Sequence, residues 1–191
     1  MTEQGNAQSV KELMVGAIKA LGDVASAAME ALRGTLVTAL TSTRQVSSEA
    51  TGLISGSVRD IINASAETGQ DLAKAASGTV VGVARAAKEA GTETLAAITT
   101  TAGAVVTSTS DVGGDIAGAA KGAVEGAIKY AREIGASTEE AATAAATGAV
   151  KAAREVSGTV GDQVRDAVTG TISGVKVVLR EPFRSNDQPS V

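Results

Sequence analysis

The amino-acid sequence predicts an all-α protein of long amphipathic helices built on an 11/22-residue repeat. Three observations indicate this fold class. The chain repeats itself with a step of 22 residues, apolar and charged residues occupy separate positions of the repeat, and its two prolines both lie after residue 181. Internal repeats of 20–50 residues define a fold more strongly than local propensity does, so the repeat is the strongest of the three indications.

The repeat is clearest in Gly148–Gly158, Gly126–Ala136 and Gly82–Thr92, which share a pattern of Gly, small apolar residues, a cation and Glu. All copies fit one series without insertion or deletion, with units starting at residues 16, 38, 60, 82, 104, 126, 148 and 170. Each unit divides into two halves of 11 residues, and three helical turns in 11 residues is close to the natural α-helical period. The spacing therefore predicts helix through the whole series.

The bulky apolar residues of the repeat fall on one side of such a helix. They are mostly Val, Ile or Leu, with Ala, Gly and Thr between them. This apolar side of the helix, the apolar arc, needs to be covered by a surface or by other helices. The predicted apolar anchors are Ile18, Val24, Leu32, Leu36, Ile128, Ile134, Val150, Val156 and Ile172.

One position of the 11-residue unit carries cations and no acids, and it borders the apolar arc. These predicted lipid- or partner-facing residues are Lys11, Arg33, Arg44, Lys88, Lys121, Arg132, Arg154, Arg165 and Lys176. The next position carries acids, as in Glu89, Glu133 and Glu155, which fall on the polar face. A basic edge beside an apolar arc is typical of helices that lie on anionic surfaces.

The organisation predicted along the chain is a disordered N-terminus at residues 1–8, a helical repeat region at 9–180 and a disordered tail at 181–191. Pro182 removes a backbone donor and ends the helical pattern. Bends are expected near 100–115 and 135, from a turn at Asp111–Asp115, a helix end at Gly135, and the poor helix formers of Thr99–Gly103. The pattern leaves open whether the helices are extended or folded back into an antiparallel bundle.

Composition excludes several functional classes. There is no His and no Cys, so the usual general base and the commonest transition-metal ligands are missing. We therefore expect no enzyme, no metal site and no cofactor. A net charge of −4 with interspersed signs argues against a nucleic-acid partner. The uncharged stretch Thr94–Ser110 is too short and too polar for a membrane span, and the N-terminus does not resemble a signal peptide.

The repeat resembles known families in style. Ala104–Thr107, Gly122–Gly126 and Ala146–Lys151 resemble the 11-residue lipid-binding repeats of the synucleins, and Ala84–Thr94 is similar to the motif of group 3 late-embryogenesis-abundant proteins. Apolipoproteins, perilipins and bacterial phasins belong to the same wider class. The resemblance implies helices that coat a lipid or polymer surface.

Three functional interpretations follow. The first is a cytoplasmic, peripheral protein that coats a membrane, lipid droplet or polymer granule through its apolar arc. The second is a structural assembly, whether bundle, homo-oligomer or filament, in which the small-residue arcs face one another. The third is a stress or desiccation protectant that is helical only when dried, with an ice-binding Ala/Thr helix as a minor variant.

Overall fold

The computed structural model describes Val37 and residues 48–179. In chain order they form six α-helices followed by a two-stranded antiparallel hairpin. The helices are α1 Ser48–Glu67, α2 Leu72–Glu89, α3 Thr94–Asp111, α4 Ile116–Ile134, α5 Thr138–Val156 and α6 Gly158–Val168. The strands are β1 Gly170–Ile172 and β2 Val175–Val177. The described part of the chain is thus all-α apart from the hairpin, and it is folded back at every helix end.

The same turn recurs after each of the first four helices. In each turn one glycine adopts a positive φ of 66–69°, at Gly69, Gly91, Gly113 and Gly135. Glycine takes this left-handed conformation without the steric cost that other residues incur. The next amide closes the turn by donating to a carbonyl five residues back: Gln70 to Ser65, Thr92 to Ala87, Gly114 to Thr109 and Ala136 to Ala131, at 2.8–2.9 Å.

Two residues after each turn glycine comes the residue that caps the next helix. Asp71 accepts hydrogen bonds from the amides of Ala73 and Lys74, and Asp115 accepts one from the amide of Gly118. Ser137 does the same for α5, whereas Glu93 makes no capping bond to α3. Asp and Ser favour this position because their short side chains satisfy free amides of the first turn.

The helices form two layers. Helices α1, α3 and α5 pack side by side in one layer, α2, α4 and α6 pack in the other, and consecutive helices contact each other across the layers. Neighbours within a layer run parallel, since Gly122 and Gly126 of α4 meet Ala73 and Ser77 of α2 in the same order along the chain. The backbones approach so closely there that a Cβ on either glycine would overlap the facing carbonyl.

The core between the layers consists mainly of Ala, Val and Ile. Tyr130 is the largest fully buried side chain, followed by residues such as Ile54, Ile61 and Ile98. The buried Thr79 and Thr101 satisfy their hydroxyls within their own helix, Thr101 by donating to the carbonyl of Ala97 at 2.7 Å. Helices with such small side chains can pack at short interaxial distances, which replaces the bulk of an ordinary core.

The structure shows where the helices begin within the repeat. Helices α2 to α5 begin at residues 72, 94, 116 and 138, a step of 22. The units starting at 82, 104, 126 and 148 therefore begin in mid-helix, and each contains the turn to the next helix. The predicted turn at Asp111–Asp115 and the helix end at Gly135 are confirmed. The turns at Gly69 and Gly91 were not predicted.

Thr99–Gly103 does not bend the chain, contrary to the expectation from its composition. The segment lies inside α3, and the hydroxyls of Thr99 and Thr101 donate to carbonyls of the preceding helical turn. Thr99 donates to the carbonyl of Leu95 at 2.9 Å and also contacts the carbonyl of Ala144 on α5 at 3.2 Å. Packing against α5 outweighs the weak propensity of the β-branched residues.

The segment after α6 also departs from the predicted helix, which was expected to reach residue 180. Strand β1 pairs with β2 in the register Ile172 with Val175, across the two-residue turn Ser173-Gly174. Both turn residues have positive φ, 49° and 79°, as two-residue hairpins require. The alternation of Ile172, Val175 and Val177 on the buried side favours a strand over a helix.

Other predictions lie outside the described residues. They are the disordered ends at 1–8 and 181–191, the repeat unit starting at 16 apart from Val37, and the first ten residues of the unit starting at 38. Thr94–Ser110 falls within α3, and none of the helices in the described ranges combines the length and apolarity that crossing a bilayer demands.

Candidate interaction surface

The apolar anchors are mostly turned inward. Ile128, Val150 and Ile172 are buried, in α4, α5 and β1. Ile134 and Val156 remain 38% and 40% exposed, each at the last residue of its helix. Ile18, Val24, Leu32 and Leu36 lie outside the described residues. In the described part, the rest of the fold therefore buries three of the five anchors.

The cations that the sequence placed on one edge are distributed over both ends of the bundle. Lys88, Arg132, Arg154 and Arg165 lie in the last turns of α2, α4, α5 and α6. Lys121 is in the second turn of α4, Lys176 is on β2, and Lys11, Arg33 and Arg44 lie outside the described residues. Because consecutive helices reverse direction, cations at the same position of the repeat fall alternately at one end of the bundle and at the other.

The last-turn position has a physical role of its own. The C-terminal end of a helix carries a partial negative charge, which a cation in the last turn stabilises. Arg132 goes further, because its guanidinium donates to the carbonyl of Ser173 and so ties the end of α4 to the hairpin. Stabilisation of helix ends is therefore enough to explain why cations recur at this position of the repeat, without a role for lipid.

Two ion pairs join helices within a layer. Arg85 of α2 donates to Glu133 of α4 at 2.6 Å, and Arg59 of α1 lies 3.7 Å from Asp111 of α3. All four side chains are substantially exposed to solvent, so each pair stabilises the fold only modestly. Sequence reasoning identified neither pair, because each joins residues that lie 48 or 52 positions apart.

The outer faces of the two layers differ in chemistry. On α2 and α4, the exposed positions are mainly charged, with Lys74, Arg85, Lys121, Lys129 and Glu133 among them. On α3, no charged side chain occurs from Thr94 to Ser110. The layer of α1, α3 and α5 therefore presents a surface with an uncharged centre.

A shallow cavity of about 350 Å³ lies in this uncharged surface. Hydroxyl groups and small residues line it, together with the charged residues Arg59, Lys151 and Glu155. Its hydroxyl-bearing residues are Thr51 and Ser55 of α1 and Thr99, Thr100, Thr107 and Ser108 of α3. The sequence signal was the uncharged stretch of α3, which we considered only as a membrane span. Such a face can offer hydrogen bonds and close van der Waals contact.

The fold changes the ionisation of Tyr130. Burial raises the pKa of its phenol above the ordinary value of 10.0, while the Thr94 hydroxyl and the Arg85 guanidinium oppose the shift. The hydroxyl makes no hydrogen bond of good geometry. A neutral phenol in this position serves packing, and it lies too deep to contact a partner.

Metal binding finds no support in the described ranges, where no group of three or more Asp or Glu side chains is placed to hold an ion. Asp111 and Asp115, which flank a turn, do not form such a group. The surfaces that remain as candidates for function are therefore the outer faces of the two layers.

Comparison with known proteins gives no family. No protein-family model matches the chain, and no curated protein matches it either.

Proposed function

We propose that this protein is a non-catalytic structural protein, a closed helical repeat that contacts its partners through its outer faces. The observation that carries this proposal is the backbone contact between parallel helices at Gly122, Gly126 and Gly148. Contacts this close require a defined packing partner on each helix. A helix whose arc is meant for a lipid surface has no need of them.

The distribution of apolar residues supports the same proposal. Ile128 and Val150, which a surface-coating helix would insert into lipid, are 1% and 5% exposed. Most of the apolar arc of the described helices is buried within the chain, so the second sequence interpretation, a structural assembly, fits better than the first. The 11-residue period belongs to this proposal, because it keeps the arc on one side of a straight helix.

Repeat proteins use extended outer surfaces for recognition, because each repeat adds a similar strip of side chains. In this protein the hydroxyl-bearing face centred on α3 is the better candidate for a flat protein partner, including a further copy of the chain. Residues 94–110 of α3 bring no charge into such an interface, and Arg59, Lys151 and Glu155 line the cavity beside them. Burying the outer face of α2 and α4 would strip several lysines and glutamates of water along its whole width.

Lipid or granule coating is the competing proposal, and one observation favours it. Tyr130 is the only aromatic residue in a core of Ala, Val and Ile, so each helix gives up little apolar burial if the layers separate. An opened chain would present its whole arc to a surface. This function requires that vesicles or granules compete with the intramolecular packing.

The two proposals separate in far-UV circular dichroism, recorded at two protein concentrations with and without anionic vesicles. A closed structural protein is highly helical in buffer, and vesicles leave its spectrum and its thermal transition unchanged. A thermal unfolding transition that becomes sharper at the higher protein concentration would show that the closed protein also self-associates. Low helicity that rises with vesicles would replace our proposal with surface coating, and low helicity that rises only on drying would replace it with the protectant.

Gly148→Ala provides the matched control for that experiment. The added Cβ would overlap the carbonyl of Thr99 and loosen the contact between α3 and α5. If the closed form excludes lipid, this variant should bind vesicles more tightly than the wild type. Equal binding by both proteins would show that the packing does not govern access of lipid to the arc.

A further inference from the structure

The contact between α1 and α3 departs from the pattern that the repeat sets elsewhere in the bundle. Where α4 meets α2, Gly122 and Gly126 bring the backbones so close that a Cβ on either would overlap a facing carbonyl. On α3, 22 residues earlier, the same two positions of the repeat hold Thr100 and Ala104. Both residues carry a Cβ, so α1 cannot approach α3 as closely as α2 approaches α4.

The cavity of about 350 Å³ in the outer face lies at this wider contact. Thr100 and Ala104 line it from α3, and Thr51 and Ser55, which hold the positions facing them in the repeat, line it from α1. The contact of α1 with α3 is also less extensive than that of α2 with α4 or of α3 with α5. The cavity is therefore the gap left by the two departures from glycine.

The gap contains hydroxyl groups that the fold does not use. Thr99 and Thr107, which also line the cavity, donate to carbonyls of their own helix. The hydroxyls of Thr51, Ser55 and Thr100 form no such bond to any residue that the structure describes. These three groups can therefore donate to a ligand without breaking a bond within the described fold.

Cations lie on both sides of the same gap. Arg59 follows Ser55 by one turn of α1, and Lys151 belongs to α5, on the other side of α3. The guanidinium of Arg59 is 3.7 Å from the carboxylate of Asp111, which is longer than a hydrogen bond, and it can therefore exchange this contact for a closer one. Two cations against one acid, Glu155, give the lining a net positive charge.

We propose that this cavity binds a small oxyanion, a phosphate or carboxylate group, with the guanidinium of Arg59 as its principal partner. The planar guanidinium can donate two parallel hydrogen bonds to such a group. The hydroxyls of Ser55 and Thr100 donate to its remaining oxygens, and Lys151 adds attraction across α3. The inference rests on the proposed closed structure, because the cavity exists only while α1, α3 and α5 pack side by side.

The test is a titration of the full chain with inorganic phosphate and, separately, with acetate, followed by ¹H–¹⁵N NMR at an ionic strength held constant with sodium chloride. We expect saturable shifts of the Thr100 amide and of the side-chain Nε–H of Arg59. Shifts with both anions would support a general oxyanion site, and shifts with one anion alone would assign the site to that anion. The absence of saturable shifts with both would overturn the proposal.

Matched variants separate the cavity from the general charge of the surface. Arg59→Gln should weaken binding about tenfold or more, whereas Arg85→Gln, which breaks the other ion pair within a layer, should leave the affinity unchanged. Thr100→Val removes a hydroxyl at nearly constant shape and should weaken binding several-fold. Thr147→Val is its control, on an exposed position of α5 outside the lining. Equal affinities of the wild type and Arg59→Gln would contradict the assigned site.

Closing the gap provides a second test. Thr100→Gly together with Ala104→Gly gives α3 the glycine pair of α4, so α1 should move toward α3 and binding should be lost although Arg59 is retained. Circular dichroism establishes that each variant is folded, and unchanged affinity in this variant would contradict the gap as the site. A wild type of low helicity in buffer would overturn the closed structure and this inference together. A helical wild type that binds neither anion would overturn this inference alone.

Discussion

Two helices carry the same glycine spacing and use it in opposite ways. Gly52 and Gly56 of α1 and Gly122 and Gly126 of α4 are each four residues apart. On α4, a Cβ at either glycine would overlap the backbone of α2, whereas on α1 no residue that the structure describes lies within 4 Å of a Cβ at either position. The spacing of two glycines therefore does not by itself establish a helix contact.

The difference follows from the position of each pair relative to the buried face of its helix. On α1, the buried face runs through Ala50, Ile54 and Val58, and Gly52 is about 200° away from Ile54 around the helix. On α4, Ala119, Ala123 and Ala127 are buried beside the glycines. Small neighbours let the glycine backbone reach the next helix, and the first predictions use this contrast.

The largest effect is expected at the contact glycines. Gly148→Ala places a Cβ against the backbone of Thr99, which cannot move without separating α3 from α5. Overpacking against backbone should lower the free energy of unfolding by about 3 kcal/mol, measured by urea denaturation followed by circular dichroism. A loss no larger than that of an exposed helical substitution would contradict the close contact.

A turn glycine should cost less. Gly135→Ala keeps open space around the new methyl group but forces a residue with a Cβ to hold a φ of 68°. We expect a loss of about 1–2 kcal/mol in thermal or urea unfolding. Gly135→Asn is the matched control and should lose less, because Asn tolerates this conformation better.

The open glycines should gain stability. Gly56→Ala adds a methyl group that meets none of the described residues and removes backbone freedom from the unfolded chain, so the free energy of unfolding should rise by about 0.5–1 kcal/mol. The same replacement at Gly126 should have the opposite sign. If both variants shift the urea midpoint in the same direction, the contrast between α1 and α4 is wrong.

The smallest effect is confined to high pH. The folded pKa of Tyr130 is raised above 10.0, so the stability that its neutral phenol contributes is present below pH 10 and is lost as pH rises through the folded value. Tyr130→Phe removes this titration. Above about pH 10, the stability of the wild type should fall more steeply than that of the variant, and below that pH the two slopes should agree.

The sequence predicted helices, the 22-residue step and two of the four turns. It could have predicted the others, because Gly69 and Gly91 stand on the same 22-residue series as Gly113 and Gly135. Asp71 and Glu93 likewise occupy the positions of Asp115 and Ser137 on the capping series. Both signals are local and need no tertiary information.

The candidate surface was less accessible from sequence. The sequence pattern places the cations on one edge of a straight helix. Only the reversal of direction at each turn puts Arg132 and Arg154 at opposite ends of the bundle. The hydroxyl-lined face depends on which side of α3 is packed. Ile128 and Val150 satisfy a lipid-facing pattern and a core-facing pattern equally well, since both require the same apolar arc.

A single distance tests most directly the claim that parallel helices pack within a closed bundle. Lys74 and Lys121 are exposed on α2 and α4, next to the contact between Ala73 and Gly122. With spin labels on Lys74→Cys and Lys121→Cys, electron–electron double resonance should give a narrow distance near 20 Å, because packed helix axes lie about 8–10 Å apart and the labels add their linkers. Anionic vesicles should not change it. A continuous helix would separate these residues by about 70 Å, and a distance of that size, in buffer or on vesicles, would contradict the closed bundle.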